Sequence, residues 1–188
     1  MSKTFVDANY RFIAANQEVN ARITQRQQAL ALYVSLVVSL LAVLVALRPA
    51  AGAREPPVEW LIFGFPVASL CLACLNYMAE RAISNLRTFI AVLEQLEDAH
   101  HHLPSYNTDP RWSQGANRAR RFRDFAAAIL ALAGNAAGLG AAQAIYPQRF
   151  TNAPGFLYVA MALAAVSLFV LLATPKWSYL PSAGADTP

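Results

Sequence analysis

Residues 29–47 read ALALYVSLVVSLLAVLVAL, nineteen consecutive positions without a Lys, Arg, Asp or Glu. A helix of that length covers the roughly 30 Å hydrocarbon thickness of a bilayer. Three further stretches behave the same way, at about 60–78, 125–146 and 155–173. Lipid offers no hydrogen bonds to a backbone, so apolar stretches of this length satisfy their amides internally, as helices. The pattern predicts an all-α polytopic membrane protein with four transmembrane helices in two hairpins.

Composition agrees with that reading. Of 188 residues, 56% are hydrophobic and 14% charged, where a soluble domain usually carries about 25% charge. The formal charge is +4. A basic chain can signal nucleic acid, but here the cations have a topological explanation, because Lys and Arg collect on the cytoplasmic side of membrane spans. Lys3, Arg11, Arg22, Arg26, Arg81, Arg87, Arg111, Arg118, Arg120, Arg121, Arg123 and Lys176 fall on one side. Arg48, Arg54 and Arg149 fall on the other. Twelve against three places both termini and the 80–124 connection in the cytoplasm, with the first span acting as a signal anchor in a bacterial inner membrane.

Two spans are expected to continue as cytoplasmic helices. Phe5, Phe12, Val19 and Ile23, interleaved with Asn9, Asn16 and Arg26, repeat at heptad spacing ahead of the first span. Neither Pro nor Gly interrupts residues 3–47, which predicts one long helix. Beyond the second span, Ile83, Leu86, Ile90 and Leu93 form a matching stripe in a stretch free of Pro and Gly from Met78 to His100. The two seams lie at similar depth and are expected to pack as a cytoplasmic helical hairpin within one chain, the alternative being pairing between subunits. The organisation is then 1–102 for the first transmembrane hairpin and its extension, 103–117 for a cytoplasmic loop, 118–175 for the second hairpin and 176–188 for a flexible tail.

The third span differs in kind. Ala127, Ala131, Gly134, Gly138 and Ala141 make one small-residue face, with Asn135 near the middle. Small residues let helix backbones approach closely, and an amide in lipid seeks an interhelical partner. This face is expected to be a helix-packing or oligomer interface. Arg118, Arg120, Arg121 and Arg123, just ahead of the span, are expected to contact anionic lipid headgroups rather than nucleic acid.

Other features carry less chemistry. His100, His101 and His102 end a helix, where cationic or polar groups complement the dipole. Consecutive residues on a helix point in different directions, so the three cannot share one metal ion. Cys71 and Cys74 have the spacing of a redox or metal pair, but inside an apolar helix they read as small buried thiols. The polar loop around Asn107, bracketed by Pro104 and Pro110, reads first as a plain connector, and among the irregular cytoplasmic stretches it is the best place for a ligand or partner contact. No span carries an ionisable group at its middle, and no catalytic motif is visible. The sequence therefore suggests a non-enzymatic protein without cofactor or metal, oligomeric, using its cytoplasmic helices to bind a protein partner or sense a signal. The alternative is a pore-forming or membrane-perturbing effector, for example of a bacterial defence system, with the third span lining or gating the conduit.

The charge asymmetry has a direct test. A cysteine introduced at Ala51 or Asn152 should react with an impermeant reagent added to intact cells, and one at Ser105 should not. Labelling at Ser105 would reverse the orientation.

Overall fold

The computed structural model describes residues 7–50, 54–102, 105–152 and 154–180, and their side chains except at 100, 101, 110, 113–120, 152 and 154. All regular structure among them is helical. In chain order these are α1 (Ala8–Ala46), α2 (Glu59–Glu94), a 3-10 turn (Leu96–Asp98), α3 (Ala99–His102), α4 (Pro110–Ile145), α5 (Pro147–Asn152), α6 (Pro154–Ala173) and a second 3-10 turn (Thr174–Trp177). Four segments, carried by α1, α2, α4 and α6, are long and apolar enough to cross a membrane.

Local chemistry fixes the helix starts. Asp7 caps α1 by accepting the Asn9 N–H at 3.2 Å. Asp109 caps α4 by accepting the Arg111 N–H at 2.8 Å, and Pro110 occupies the first position, where a missing N–H costs nothing. That Asp-Pro pair makes the connection shorter than the 103–117 loop expected from sequence: helix α4 is already formed at residue 110. Helix α2 also departs from expectation. It stops at Glu94 rather than running on to the histidines, and Glu97 and Asp98 take left-handed backbone angles, with φ of 54° and 57°. No Pro or Gly signals this break. Its cause is tertiary: the Glu94 carboxylate accepts from the Asn107 and Thr108 backbones, at 3.0 and 3.2 Å, and from the Asn107 amide, at 2.9 Å. The chain must turn back to reach it.

Helices α2 and α4 each pack on all three other long helices. Contacts between α1 and α2 run in opposite sequence order, from Val19 beside Ile83 and Ile90 to Leu44 beside Val58 and Ile62. The buried positions of α1 are Ala15, Val19, Arg26, Tyr33, Val37 and Leu44, one narrow stripe repeating every four or seven residues. Three apolar clusters follow from this stripe. One, near Ala15 and Val19, takes Ile83 and Ile90 with Ile23 and Leu86 packed against them. A central one joins Tyr33, Val37, Phe65, Leu72, Ala131 and Leu171. The third joins Leu44, Ile62, Ala142 and Tyr146, whose hydroxyl donates to the Leu44 carbonyl at 2.8 Å.

The small face of α4 sets the closest approaches. A Cβ on Gly138 would lie 2.5 Å from the fully buried Phe65 ring, and one on Gly134 would collide with the Tyr33 hydroxyl. A Cβ on Gly140 would meet nothing within 4 Å. Gly138→Ala is therefore expected to cost about 1–3 kcal/mol through overpacking, and Gly138→Leu to prevent the fold. Gly140→Ala, on the open side of the same helix, should be neutral or slightly stabilising. Thermal unfolding in detergent compares them, and equal melting of the two alanine variants would show that the α2–α4 approach is wrong.

Candidate functional site

The site begins with Arg26. Its position on the buried stripe of α1 aims a guanidinium between helices, where an unpaired charge is expensive. Two helices answer it. Its Nε donates to Asn76 Oδ1 at 3.0 Å, and its Nη1 to Glu80 Oε2 at 2.8 Å, both on α2. Its Nη2 pairs with Asp124 Oδ1 on α4. The side chains of Arg26, Glu80 and Asp124 are 4%, 1% and 2% exposed, so this is a desolvated ion cluster. Glu80 is also bound from the chain's last described segment, since Ser178 Oγ donates to its Oε1 at 2.7 Å. A cavity of about 30 Å³ adjoins the cluster, lined in part by Gln27, Arg123 and Ala127, with room for about one water.

A second polar junction lies deeper among the apolar residues. Asn135 Nδ2 donates to Ser69 Oγ at 2.7 Å and to the Ala131 carbonyl at 2.8 Å, and Tyr33 Oη is 3.1 Å from the same Ser69 oxygen. A third closes the opposite end. The Glu55 carboxylate accepts the Gln148 and Arg149 N–H groups at 3.2 and 3.1 Å, and Arg149 reaches Glu59 at 3.0 Å. Each junction crosses from one half of the chain to the other.

Toward the N-terminal end of α1, beyond the ion cluster, lies a cleft of about 320 Å³. Phe12, Asn16 and Asn20 of α1, Arg87 and Glu94 of α2, and Tyr106 of the connecting loop form its walls. Phe12 is 37% and Tyr106 48% exposed, so two aromatic faces stand open at the rim. The segment after α6 braces the cleft. Trp177 packs edge-on against Tyr77 with ring centroids 5.0 Å apart, its carbonyl accepts from Ser84 at 3.1 Å, and Tyr179 Oη donates to the Asn107 carbonyl at 3.1 Å. Burial pushes the Tyr179 hydroxyl above the usual phenol range; the nearby Glu94 carboxylate adds to this and Arg87 opposes it, so the group remains a donor. Residues 176–180 are thus not the free tail expected from sequence, because an aromatic pair and two hydroxyls hold them on α2 and its loop.

The positions singled out in the sequence are distributed as follows. On α4, Ala127, Ala131 and Asn135 are buried, Gly134 and Gly138 meet Tyr33 and Phe65, and Ala141 packs at the Leu44 cluster. That face is occupied by the chain's own α1 and α2. On the two helix seams, Val19, Ile83 and Ile90 are buried together, Ile23 and Leu86 flank them, Leu93 is half-buried and Phe12 sits at the cleft rim. Phe5 lies outside the described residues, as do the side chains of Arg118 and Arg120. Arg121 is exposed, whereas Arg123 turns inward to the small cavity. Cys71 and Cys74 are exposed on the outer side of α2 rather than buried. Among the described residues no three His, Cys, Asp or Glu side chains are grouped as metal ligands.

The ion cluster was missed by reading each span alone. Arg26, Glu80 and Asp124 all stand just outside an apolar run, where charges pass for ordinary flanks. The available signal was their common depth: one cation and two anions, each within three residues of a span boundary on the same side. Asn76, near the same end of its span, accepts from that guanidinium.

Removing one partner of a buried ion cluster leaves the others uncompensated, at a cost of about 3–5 kcal/mol. Arg26→Gln is expected to destabilise by that order. Adding Glu80→Gln and Asp124→Asn should recover much of the loss, since the strongly non-additive behaviour of a network works in both directions. Melting of the single and triple variants in detergent reads this, and a triple variant worse than the sum of its parts would contradict an electrostatic origin.

The chain matches no protein-family model, no curated protein and no solved structure.

Proposed function

We propose that the chain is a non-enzymatic, multi-pass protein of a bacterial inner membrane. Its four apolar helices cross as two hairpins with both termini cytoplasmic, and it binds a protein partner or senses a signal through the helices that project from the membrane. The exposed apolar surface supports insertion. In the most apolar window of α1 only 17% of residues are buried, and in that of α6 28%. Leu32, Leu36, Val38 and Phe169 stand open, which suits lipid rather than water.

The observation that carries the partner reading is the cleft between Phe12, Asn16, Arg87 and Tyr106. It combines open aromatic faces with amides and a guanidinium, the residue types that anchor protein interfaces. It is also braced from three parts of the chain, so its walls are set before a partner arrives. Self-assembly belongs to the same proposal. Copies would meet through surfaces other than the small face of α4, which Tyr33, Val37 and Phe65 already fill. Contact of the exposed Arg121 and its neighbours with anionic headgroups would fix the depth of α4.

The same filling of the small face counts against the conduit alternative. A path along α4 inside one chain would have to displace Phe65 and the Tyr33–Ser69–Asn135 junction.

A photo-crosslinking residue at Tyr106 or Phe12 is expected to capture a discrete cellular protein, and one at Leu36 is not. Phe12→Glu should abolish capture from position 106 while leaving membrane insertion intact. Absence of capture at both cleft positions, together with ion flux in liposomes holding only the purified protein, would replace this reading with the conduit.

A further inference from the structure

Between α1 and α2, with Arg26 in its wall, runs an open groove of about 500 Å³. Its two ends differ in chemistry. One is apolar, with Ala29, Leu32, Leu75 and Met78. Leu32, Leu75 and Met78 are 70%, 54% and 67% exposed, so more than half of each is left uncovered by the described residues. The other end is polar, with Arg22, Gln25 and Gln28. The change falls at Ala29, where the apolar run of α1 begins.

The polar end continues into an adjoining hollow of about 430 Å³ that shares Arg22, Gln25 and Gln28 and adds Glu18 and Thr24. The order along α1 is therefore aliphatic, amide, guanidinium, carboxylate. At about 1.5 Å per residue, Arg22 stands about 10 Å beyond Ala29, and Glu18 about 6 Å beyond Arg22. Arg22 and Glu18 are paired with each other at 2.7 Å, but both side chains are more than 40% exposed. Such a pair holds weakly and opens readily to a competing ion pair. Arg26 lines the groove too, but its guanidinium is committed to Asn76, Glu80 and Asp124.

We propose that this groove binds a phospholipid whose headgroup ends in a primary ammonium, of the phosphatidylethanolamine type. It rests on the membrane reading above. The acyl chains lie along Leu32, Leu75 and Met78, the phosphate takes the Arg22 guanidinium and the Gln25 and Gln28 amides, and the ammonium donates to the Glu18 carboxylate. The sequence of groups along such a lipid is the sequence of complementary groups along the groove. A phosphatidylglycerol headgroup would satisfy Arg22 through its phosphate but offer Glu18 only neutral hydroxyls, without the charge of an ammonium. A quaternary ammonium carries no N–H to donate to that carboxylate.

The test is native mass spectrometry of the full chain, released from nanodiscs holding equal amounts of phosphatidylethanolamine, phosphatidylcholine and phosphatidylglycerol with identical acyl chains. Phosphatidylethanolamine should be retained about threefold over each of the others, the ratio that one partly exposed ion pair supplies. Glu18→Gln should remove that preference. Met78→Trp should reduce retention of all three by filling the apolar end, and thermal melting checks that both variants remain folded. Equal retention, a preference for phosphatidylglycerol, or an unchanged ratio in Glu18→Gln would overturn the proposal. So would a disulfide between copies through Leu32→Cys, which would put a second chain in the groove. Failure of the chain to partition with membranes would instead refute the membrane reading, so the two failures are distinct.

Discussion

The guanidinium of Arg26 is the constraint on which the arrangement depends. It sits almost wholly buried, close to where the apolar run of α1 begins, and its charge admits few solutions. Asn76 and Glu80 on α2 and Asp124 on α4 supply the compensating groups, and Ser178 reaches the same Glu80 from beyond α6. One side chain thus draws four parts of the chain to a common depth. A hydrophobic core alone would not do this. Leu and Ala stripes tolerate a helix sliding or rotating by one position, whereas a guanidinium must find its oxygens.

The remaining polar junctions divide the work along the helix axes. Tyr33, Ser69 and Asn135 fix the middle of the bundle, and Glu55, Glu59 and Arg149 fix the end opposite the cleft. In lipid, association of helices rests on packing and on such hydrogen bonds, because the tails surrounding a helix are as apolar as leucine. The small face of α4 completes this logic. Gly134 and Gly138 admit the Tyr33 hydroxyl and the Phe65 ring, which brings Asn135 within reach of Ser69. The glycines and the asparagine therefore act as one device.

The helices were legible because their signals are long. Four uncharged stretches and a repeating stripe on α1 are properties of consecutive residues, whereas the Asp-Pro start of α4 read as part of a loop. The seam positions Val19, Ile83 and Ile90 could be named in the same way. What escaped reading depends on residues far apart in sequence. Arg26 and Asp124 are 98 positions apart, and neither looks unusual among its neighbours. The end of α2 is set by Glu94 serving Asn107 and Thr108, with no Gly or Pro to announce it. Ala15 is buried on the seam although a lone alanine carries little hydrophobic signal. The cleft combined both situations: its loop stood out by composition, while the walls facing it depended on how α1 and α2 met.

The chain's order of synthesis gives the Arg26 cluster a further meaning. A ribosome delivers the guanidinium first, with no counter-charge yet made. Asn76 and Glu80 emerge with the second long helix, the amide accepting from the guanidinium and the carboxylate pairing with its charge, Asp124 arrives at the threshold of the third, and Ser178 comes after the fourth. Each addition is recorded at the same spot as one more hydrogen bond or ion pair. A chain made only as far as residue 79 therefore holds the Arg26 guanidinium without either of its carboxylate partners, and the finished one buries all three together. The same residue that sets the depth of the helices also reports how far assembly has gone.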